Sequence, residues 1–455
     1  MEELLKETAA RAVRYINDIQ ERSVTPAPDA LERLALLDEP LPQKPDDPLN
    51  VLRLLDEIGS AATVATAGKR FFGFVIGGAL PASLAANWMA GAWDQNAGLE
   101  IASPISAALE NVCIKWLLDV LALPPGCAAG FVTGATMANF SGLAAARHAL
   151  LEREGWNVEA QGLFGAPPIT VIVGDEVHVS ILKALSLIGF GRERVLRVPV
   201  DGQGRMRADA LPQISGPTIV ILQAGNVNTG AFDPAREIIA RAHEGGAWVH
   251  VDGAFGLWAA AAPQRAHLVD GVSEADSWGT DAHKWLNVPY DSGLAFVREA
   301  KHMQAALAIR AAYLIKRDQR DPDEYVPELS RRARGIEVWA ALRSLGREGL
   351  ADMIERNCAY ASFFAKGLQD AGFEILNDVV LNQVMVSFGD DDMTRRVVTA
   401  VQQEGTCWCG GTFWQGRAAM RISVSSWATA ETDCERSLAA IVRIAREEIQ
   451  HSHSL

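Results

Sequence analysis

Positive charge is what this chain has least to spare. Its 42 lysines and arginines face 56 aspartates and glutamates, a net charge of −14. Nucleic-acid binding needs a concentrated basic face, and the run Arg331-Arg332-Ala333-Arg334 is short and lies among acidic residues. It reads as a solvated helix face, so no nucleic-acid partner is expected. Long apolar runs are missing too. The stretch from Phe71 to Ala92 comes nearest to a membrane span, but glycines, Pro81 and Asn87 interrupt it and Trp93-Asp94 closes it. It reads as a loop followed by a buried helix, with no membrane partner. The start, Met1-Glu2-Glu3-Leu4-Leu5-Lys6, is acidic and amphipathic rather than basic then apolar, unlike a secretory leader, and a cytoplasmic location is expected. The six cysteines are scattered, and Cys407-Trp408-Cys409 has no second Cys/His pair at zinc spacing. Reduced thiols are expected and a metal site is not. No internal repeat or low-complexity segment is present.

What remains is a globular composition, 49% hydrophobic and 22% charged, on a chain of 455 residues that is too long for one ordinary core. Residues 1 to about 20 read as an amphipathic helix. Pro26, Pro28, Pro40, Pro42, Pro45 and Pro48 make residues 24–49 an extended, irregular segment. Five apolar runs of strand length follow: Ile169–Val173, Val195–Val198, Thr218–Leu222, Ala247–Val251 and Gly293–Val297. Helical stretches separate several of them, which implies an α/β fold with a mostly parallel sheet covered on both faces. One such helix is marked by Asp233 as N-cap and Pro234 in its first turn, and Gly245-Gly246 stops it. Beyond Gly335 come a helix over Ile336–Leu345, a further helix, and short strands near Val384–Phe388 and Ala419–Val424. The expected division is an N-terminal arm (1–75), a large domain (76–335) and a small C-terminal α+β domain (336–455).

Two residues carry the chemistry. Asp252 ends the run Ala247-Trp248-Val249-His250-Val251, and Lys284 lies in Asp281-Ala282-His283-Lys284-Trp285. A carboxylate at a strand end and a lysine on a nearby loop are what a pyridoxal phosphate (PLP) enzyme needs. The lysine forms a Schiff base with the aldehyde, and the carboxylate keeps the ring nitrogen protonated. His250-Val251-Asp252-Gly253-Ala254 followed by Asp281-Ala282-His283-Lys284-Trp285 resembles the group II PLP-dependent amino-acid decarboxylases, which include aromatic amino-acid, glutamate and cysteine sulfinate decarboxylases. The resemblance implies a fold-type I enzyme with a seven-stranded, mostly parallel sheet. It implies a homodimer whose N-terminal segment packs across the partner subunit. The apolar Phe71–Ala92 segment and the arm, which lacks a core of its own, agree with that.

Further residues match in order. His178, in Glu176-Val177-His178-Val179, stands where the family stacks a histidine on the coenzyme ring, and Ala254 would lie on the opposite face. Thr133-Gly134-Ala135-Thr136-Met137-Ala138-Asn139 resembles the family's Ser-Gly-Gly-Thr-Glu-Ala-Asn segment, so Ala135 and Thr136 would bind phosphate at a helix N-terminus. Asn226 replaces a threonine that contacts the ring or the pairing Asp; Asp281 and His283 fall near the phosphate. In many relatives a loop tyrosine returns a proton to Cα. Leu329-Ser330-Arg331-Arg332 matches the segment that follows this loop, which offers Tyr325, with Tyr313 as the fallback. The resemblance therefore implies L-amino-acid decarboxylation to CO2 and an amine. Tyr325 lies closer to Leu329 than the family's spacing predicts, which leaves open oxidation by O2 to an aldehyde. A Cα–Cβ lyase, an aminotransferase and a non-catalytic PLP-binding protein are the more distant readings.

Overall fold

The computed structural model describes residues 1–309 and 320–453. The chain forms two compact units, residues 79–361 with 377–383, and residues 1–78 with 362–376 and 384–455. The first contains a seven-stranded sheet: β1 (Ala128–Val132), β2 (Thr170–Gly174), β3 (Leu196–Val198), β4 (Thr218–Gln223), β5 (Trp248–Asp252), β6 (Ser277–Asp281) and β7 (Gly293–Val297). The order is β1-β7-β6-β5-β4-β2-β3. Strand β7 runs antiparallel to both neighbours and the other pairs are parallel. This is the expected α/β architecture, and the five apolar runs match five of its strands to within one residue. Five helices bear on the argument: α1 (Pro104–Val120), α2 (Ala135–Arg153), α3 (Val179–Leu187), α4 (Ala235–Glu244) and α5 (Ala300–Leu307).

Strand β6, Ser-Trp-Gly-Thr-Asp, is polar yet lies between β5 and β7 with every residue buried. Its partners explain this. Ser277 Oγ lies 2.8 Å from His250 Nδ1 and accepts the Trp248 indole N–H at 2.9 Å. His250 Nε2 in turn meets Asn139 Oδ1 of α2 at 2.9 Å. With Asn139 as acceptor, the imidazole proton sits on Nε2, and Nδ1 accepts from Ser277. Burial pushes the His250 pKa down to about 3, so the ring stays neutral. A satisfied hydroxyl costs little to bury, and a polar strand is thereby admitted to the core. Helix α2 must come close for this contact: a Cβ on Gly142 would lie 2.7 Å from the His250 ring. The remainder of α2 supports that approach with small buried residues, Ala138, Ala144, Ala145, Ala146 and Ala149, packed with Val171, Val173, Ile219 and Ile221 of the sheet.

Several local expectations are corrected. Asp233 is not the N-cap of α4; that position is Pro234, and the Asp233 carboxylate instead accepts the Met206 and Gln223 backbone N–H groups, both at 2.7 Å. Burial raises its pKa to about 6 against those two bonds. The proline-rich segment is not wholly extended, since Pro28 and Pro48 each open a short helix at its first position. Nor is the Arg331–Arg334 run a solvated face. Arg331 and Arg334 are buried, and the three arginines pair with Glu110, Glu337 and Asp291. Helix Pro81–Trp93 buries only Ser83 and Ala90, leaving Trp88, Met89 and Trp93 exposed on the single chain rather than in a core.

In the second unit the first 78 residues fold with the C-terminal part, not as a separate arm. The buried Arg70 guanidinium donates to the carbonyls of Gln20, Glu21, Arg22 and Thr406. Phe71–Phe72 then pairs in parallel with Trp408-Cys409 at the edge of a five-stranded sheet. The helical stretch Gly335–Asp370 is broken at Gly346, whose φ of 61° no helix accommodates. The chain passes between units after Ala361.

Glu110 of α1 is fully buried and accepts from Arg331 at 2.6 Å and from Arg320 at 3.3 Å. Truncation would leave the Arg331 charge buried without its anion. Glu110→Ala is expected to cost about 3 kcal/mol, read as a lower urea midpoint; an unchanged midpoint would contradict the assignment.

Candidate active site

The carboxyl ends of β5 and β6 deliver two buried aspartates, Asp252 and Asp281, to one end of the larger sheet. The turn after β6 places Lys284 Nζ 3.0 Å from Asp281 Oδ2. The other oxygen, Oδ1, accepts the backbone N–H of Ala135, the first residue of α2, at 2.5 Å. Asp281 therefore sits on the positive end of a 19-residue helix. A Cβ on Gly134, just before that helix, would lie 3.1 Å from His283 Cε1 and 3.3 Å from Asp281 Oδ1. Glycine allows the two segments to approach.

His283 Nδ1 accepts the Ser292 backbone N–H at 3.1 Å, which leaves its proton on Nε2, 3.4 Å from Asp281 Oδ1. Burial holds its pKa below the usual histidine value, while Asp281 opposes that shift. The Tyr290 ring stacks on it with centroids 4.3 Å apart. Burial pushes the Tyr290 hydroxyl up to about 12, and Asp281 adds to that rise.

Asp252 Oδ1 accepts the Ala254 N–H at 3.2 Å, and Oδ2 lies 3.5 Å from Ser180 Oγ. Burial raises its pKa, while the charges of His178 and Lys284 pull it back. His178 caps α3, its Nδ1 accepting the Ser180 N–H at 3.2 Å with Ser180 Oγ 2.8 Å away. Ser180 thus joins His178 to Asp252. Sequence reading passed over Ser180, Tyr290 and Ser292. For Ser180 a signal existed, a hydroxyl two residues past a histidine at a helix start.

The structure assembles Lys284, Asp281, His283, Ala135, Asp252, Ala254 and His178, but not every expected residue. Asn226 is turned into its own loop: its amide oxygen accepts from Asn228 and Thr229, and its nitrogen donates to Glu176 Oε2 at 3.1 Å. The same nitrogen also reaches the Gly204 carbonyl at 3.5 Å, so both of its N–H groups are directed away from Asp252. The Tyr325 ring packs against the core with the Arg320 guanidinium 4.3 Å from its centroid. Burial raises its pKa, with a hydrogen bond to Gln304 opposing. Among the described residues it makes no hydrogen bond or ring contact with the Lys284 cluster. Tyr313 lies outside the described residues.

This donor set fits pyridoxal phosphate. Lys284 offers an amine for the aldehyde, Asp252 a buried carboxylate for the ring nitrogen, and the N-terminus of α2 receives an anion. The Thr136 N–H is paired with no backbone or side-chain group among the described residues. Asp281 already holds the Ala135 N–H, so it and a phosphate would draw on the same end of the helix.

Comparison with known proteins agrees. Residues 28–388 match the model of the pyridoxal-dependent decarboxylase conserved domain. An aromatic-L-amino-acid decarboxylase from Bos taurus is 29% identical over 403 residues, covering 83% of this chain and 82% of that protein. The one from Bacillus atrophaeus is 26% identical, covering 77% and 73%. A phenylacetaldehyde synthase from Arabidopsis thaliana is 26% identical, covering 73% and 72%. Among solved structures, Oryza sativa TDC with PLP and tryptamine superposes with a TM-score of 0.89 at 22% identity over 98% of both chains. Fold, site chemistry and a family match over most of the chain lead to one conclusion: the protein belongs to the pyridoxal-dependent decarboxylases and works with PLP.

Proposed function

We propose that the protein is an L-amino-acid decarboxylase in which Lys284 is the covalent attachment point and Asp252 the partner of the ring nitrogen. The observation that carries this is the convergence of both residues at the ends of adjacent strands, with Asp281 and α2 beside Lys284. When bound, the cofactor supplies an aldehyde and a ring that takes up the electron pair left as CO2 departs. Lys284 provides the amine, and its contact with Asp281 fixes where that amine stands. Asp252, out of water and tied by Ala254 and Ser180, holds a proton at the ring nitrogen. Burial disfavours its charged form in the free protein, and a positive ring nitrogen beside it would favour the carboxylate, as the charges of His178 and Lys284 already do. Ser180 fixes His178 at two points, which supports a role for the imidazole in seating the ring. Thr136 would receive the phosphate at the start of α2, where Asp281 holds the neighbouring Ala135 N–H, with His283 close by.

A second reading rests on Tyr325. With its ring covered and its hydroxyl directed to Gln304, it supports no proton delivery to Cα in its own subunit. An aldehyde synthase outcome then consumes amino acid, O2 and water, and gives aldehyde, CO2, ammonia and H2O2. We also place the protein in the cytoplasm as a homodimer. The described cysteines are all buried and unpaired, in keeping with a reducing compartment. The exposed Trp88, Met89 and Trp93 on one helix supply an apolar face for a second copy.

Incubation with a panel of L-amino acids, following CO2, amine, aldehyde and peroxide together, is expected to show CO2 from at least one member. Lys284→Ala should abolish both that release and the near-violet absorption of the bound cofactor. No CO2 from any member would sink the reading, and peroxide equal to CO2 would select the aldehyde synthase. Asp281→Asn removes a negative charge from the phosphate's end of α2. PLP should bind about tenfold tighter, corresponding to about 1.4 kcal/mol; weaker binding in equilibrium dialysis would reverse this view of Asp281. Light scattering should give twice the chain mass for the wild type and the single mass for a Trp88→Glu, Trp93→Glu variant. A fully active monomer would refute the dimer.

A further inference from the structure

We propose that His148, Glu152 and His302 form a binding site for a divalent transition cation of the zinc class, remote from Lys284. The spacing of four on α2 puts His148 and Glu152 on one helix face, and α5 brings His302 against them. One ligand atom from each lies within 4.8 Å of the others. His148 Nε2 is 3.7 Å and His302 Nδ1 4.0 Å from Glu152 Oε2. A tetrahedral cation with bonds of about 2.1 Å holds its ligands roughly 3.4 Å apart. Closing the cluster therefore takes modest movement, and the exposed Glu152 carboxylate has room to make it.

A second observation points to a ligand. His302 is only 6% exposed, and its Nδ1 is buried without any hydrogen-bond partner. Such an orphan is destabilising unless something satisfies it. This nitrogen faces Glu152, and a cation between them would end the deficit. The His302 ring is backed by Trp248, edge-on at 5.7 Å.

His148 is held in the manner of a metal ligand. Its Nδ1 lies 2.8 Å from Glu159 Oε2, so Nδ1–H donates to that carboxylate and the Nε2 lone pair is left to face Glu152. Glu159, Glu152 and Glu299 surround the histidines, against the cations Arg147 and Lys301, whose partners are Glu159 and Glu299. Two imidazole nitrogens and one carboxylate favour zinc, cobalt or nickel over magnesium or calcium. Sequence reading expected no metal because it sought cysteine pairs; the third ligand here comes from a helix far along the chain. Trp248 opens β5 and Asp252 ends it, about 13 Å along the strand, so the cation would sit beside the opposite end of β5 from Asp252. It would tie the last turns of α2 to α5 and take no part in the reaction.

The test uses PLP-loaded enzyme, stripped of loose metal by chelator dialysis and titrated with Co2+. Visible d–d bands are read to the red of the cofactor absorption, and Zn2+ is used to displace the cobalt. We expect one Co2+ per chain, displaced by Zn2+ but not by Mg2+. Glu152→Gln and His148→Ala should abolish the band, and Glu159→Gln should weaken binding about tenfold. Glu152 is exposed, so that variant keeps its fold, checked by the cofactor absorption. No cobalt band, or a stoichiometry unchanged by Glu152→Gln and His148→Ala, would overturn the site. The readout does not depend on decarboxylation, so failure here and failure of the proposed reaction are separable.

Discussion

Keeping two carboxylates out of water is the constraint around which the carboxyl end of the larger sheet is arranged. A bare buried carboxylate costs several kcal/mol, so each must find positive or donating partners within the fold. Asp281 finds the first N–H of α2, Lys284 and His283. Asp252 finds Ala254 and Ser180, with the charges of His178 and Lys284 acting on it. These demands fix where α2 begins, why Gly134 lacks a side chain and how the turn after β6 runs. The groups that solve the desolvation problem are also those that a phosphate, a pyridine nitrogen and an aldehyde call for. Stability and ligand chemistry draw on one set of donors.

A second polar thread crosses the core from Asn139 through His250 and Ser277 to Trp248. The two inner members, His250 and Ser277, each have one donor and one acceptor direction assigned, so neither can turn without stranding a neighbour. The thread sets the depth of α2 against β5 and β6. By that route it also sets the start of α2 at Asp281.

Local chemistry was legible in the sequence, and long-range pairing was not. Apolar runs marked five strands, four of them buried on both faces, where hydrophobic side chains dominate, and the fifth, β3, an edge strand that keeps only Val198 inside. Strand β6 escaped because Ser277 is satisfied by His250 and Trp248, partners that no local window contains. The Lys284 and Asp252 motifs were readable since each is a short segment at a strand end. Asn226 resembled a ring contact, yet its amide is consumed within a few residues of loop and by Glu176. The arginines from 331 to 334 looked solvated because Glu110 and Asp291, which bury or hold two of them, lie far away in the chain. Asp233 read as a helix cap when its carboxylate was needed by two strand-side N–H groups.

The discontinuous unit has a consequence for how the polypeptide is made. Arg70 needs Thr406, and Phe71–Phe72 needs Trp408-Cys409, before either can take its native place. A ribosome adding roughly 5–20 residues per second delivers those partners tens of seconds after residue 78 has emerged. Through that interval the seven-stranded sheet, encoded entirely between Ala128 and Val297, is free to form first. The N-terminal segment, born earliest, is the last to be seated. Its apolar Phe71 and Phe72 stay uncovered for most of synthesis, and that window is where a chaperone has something to hold.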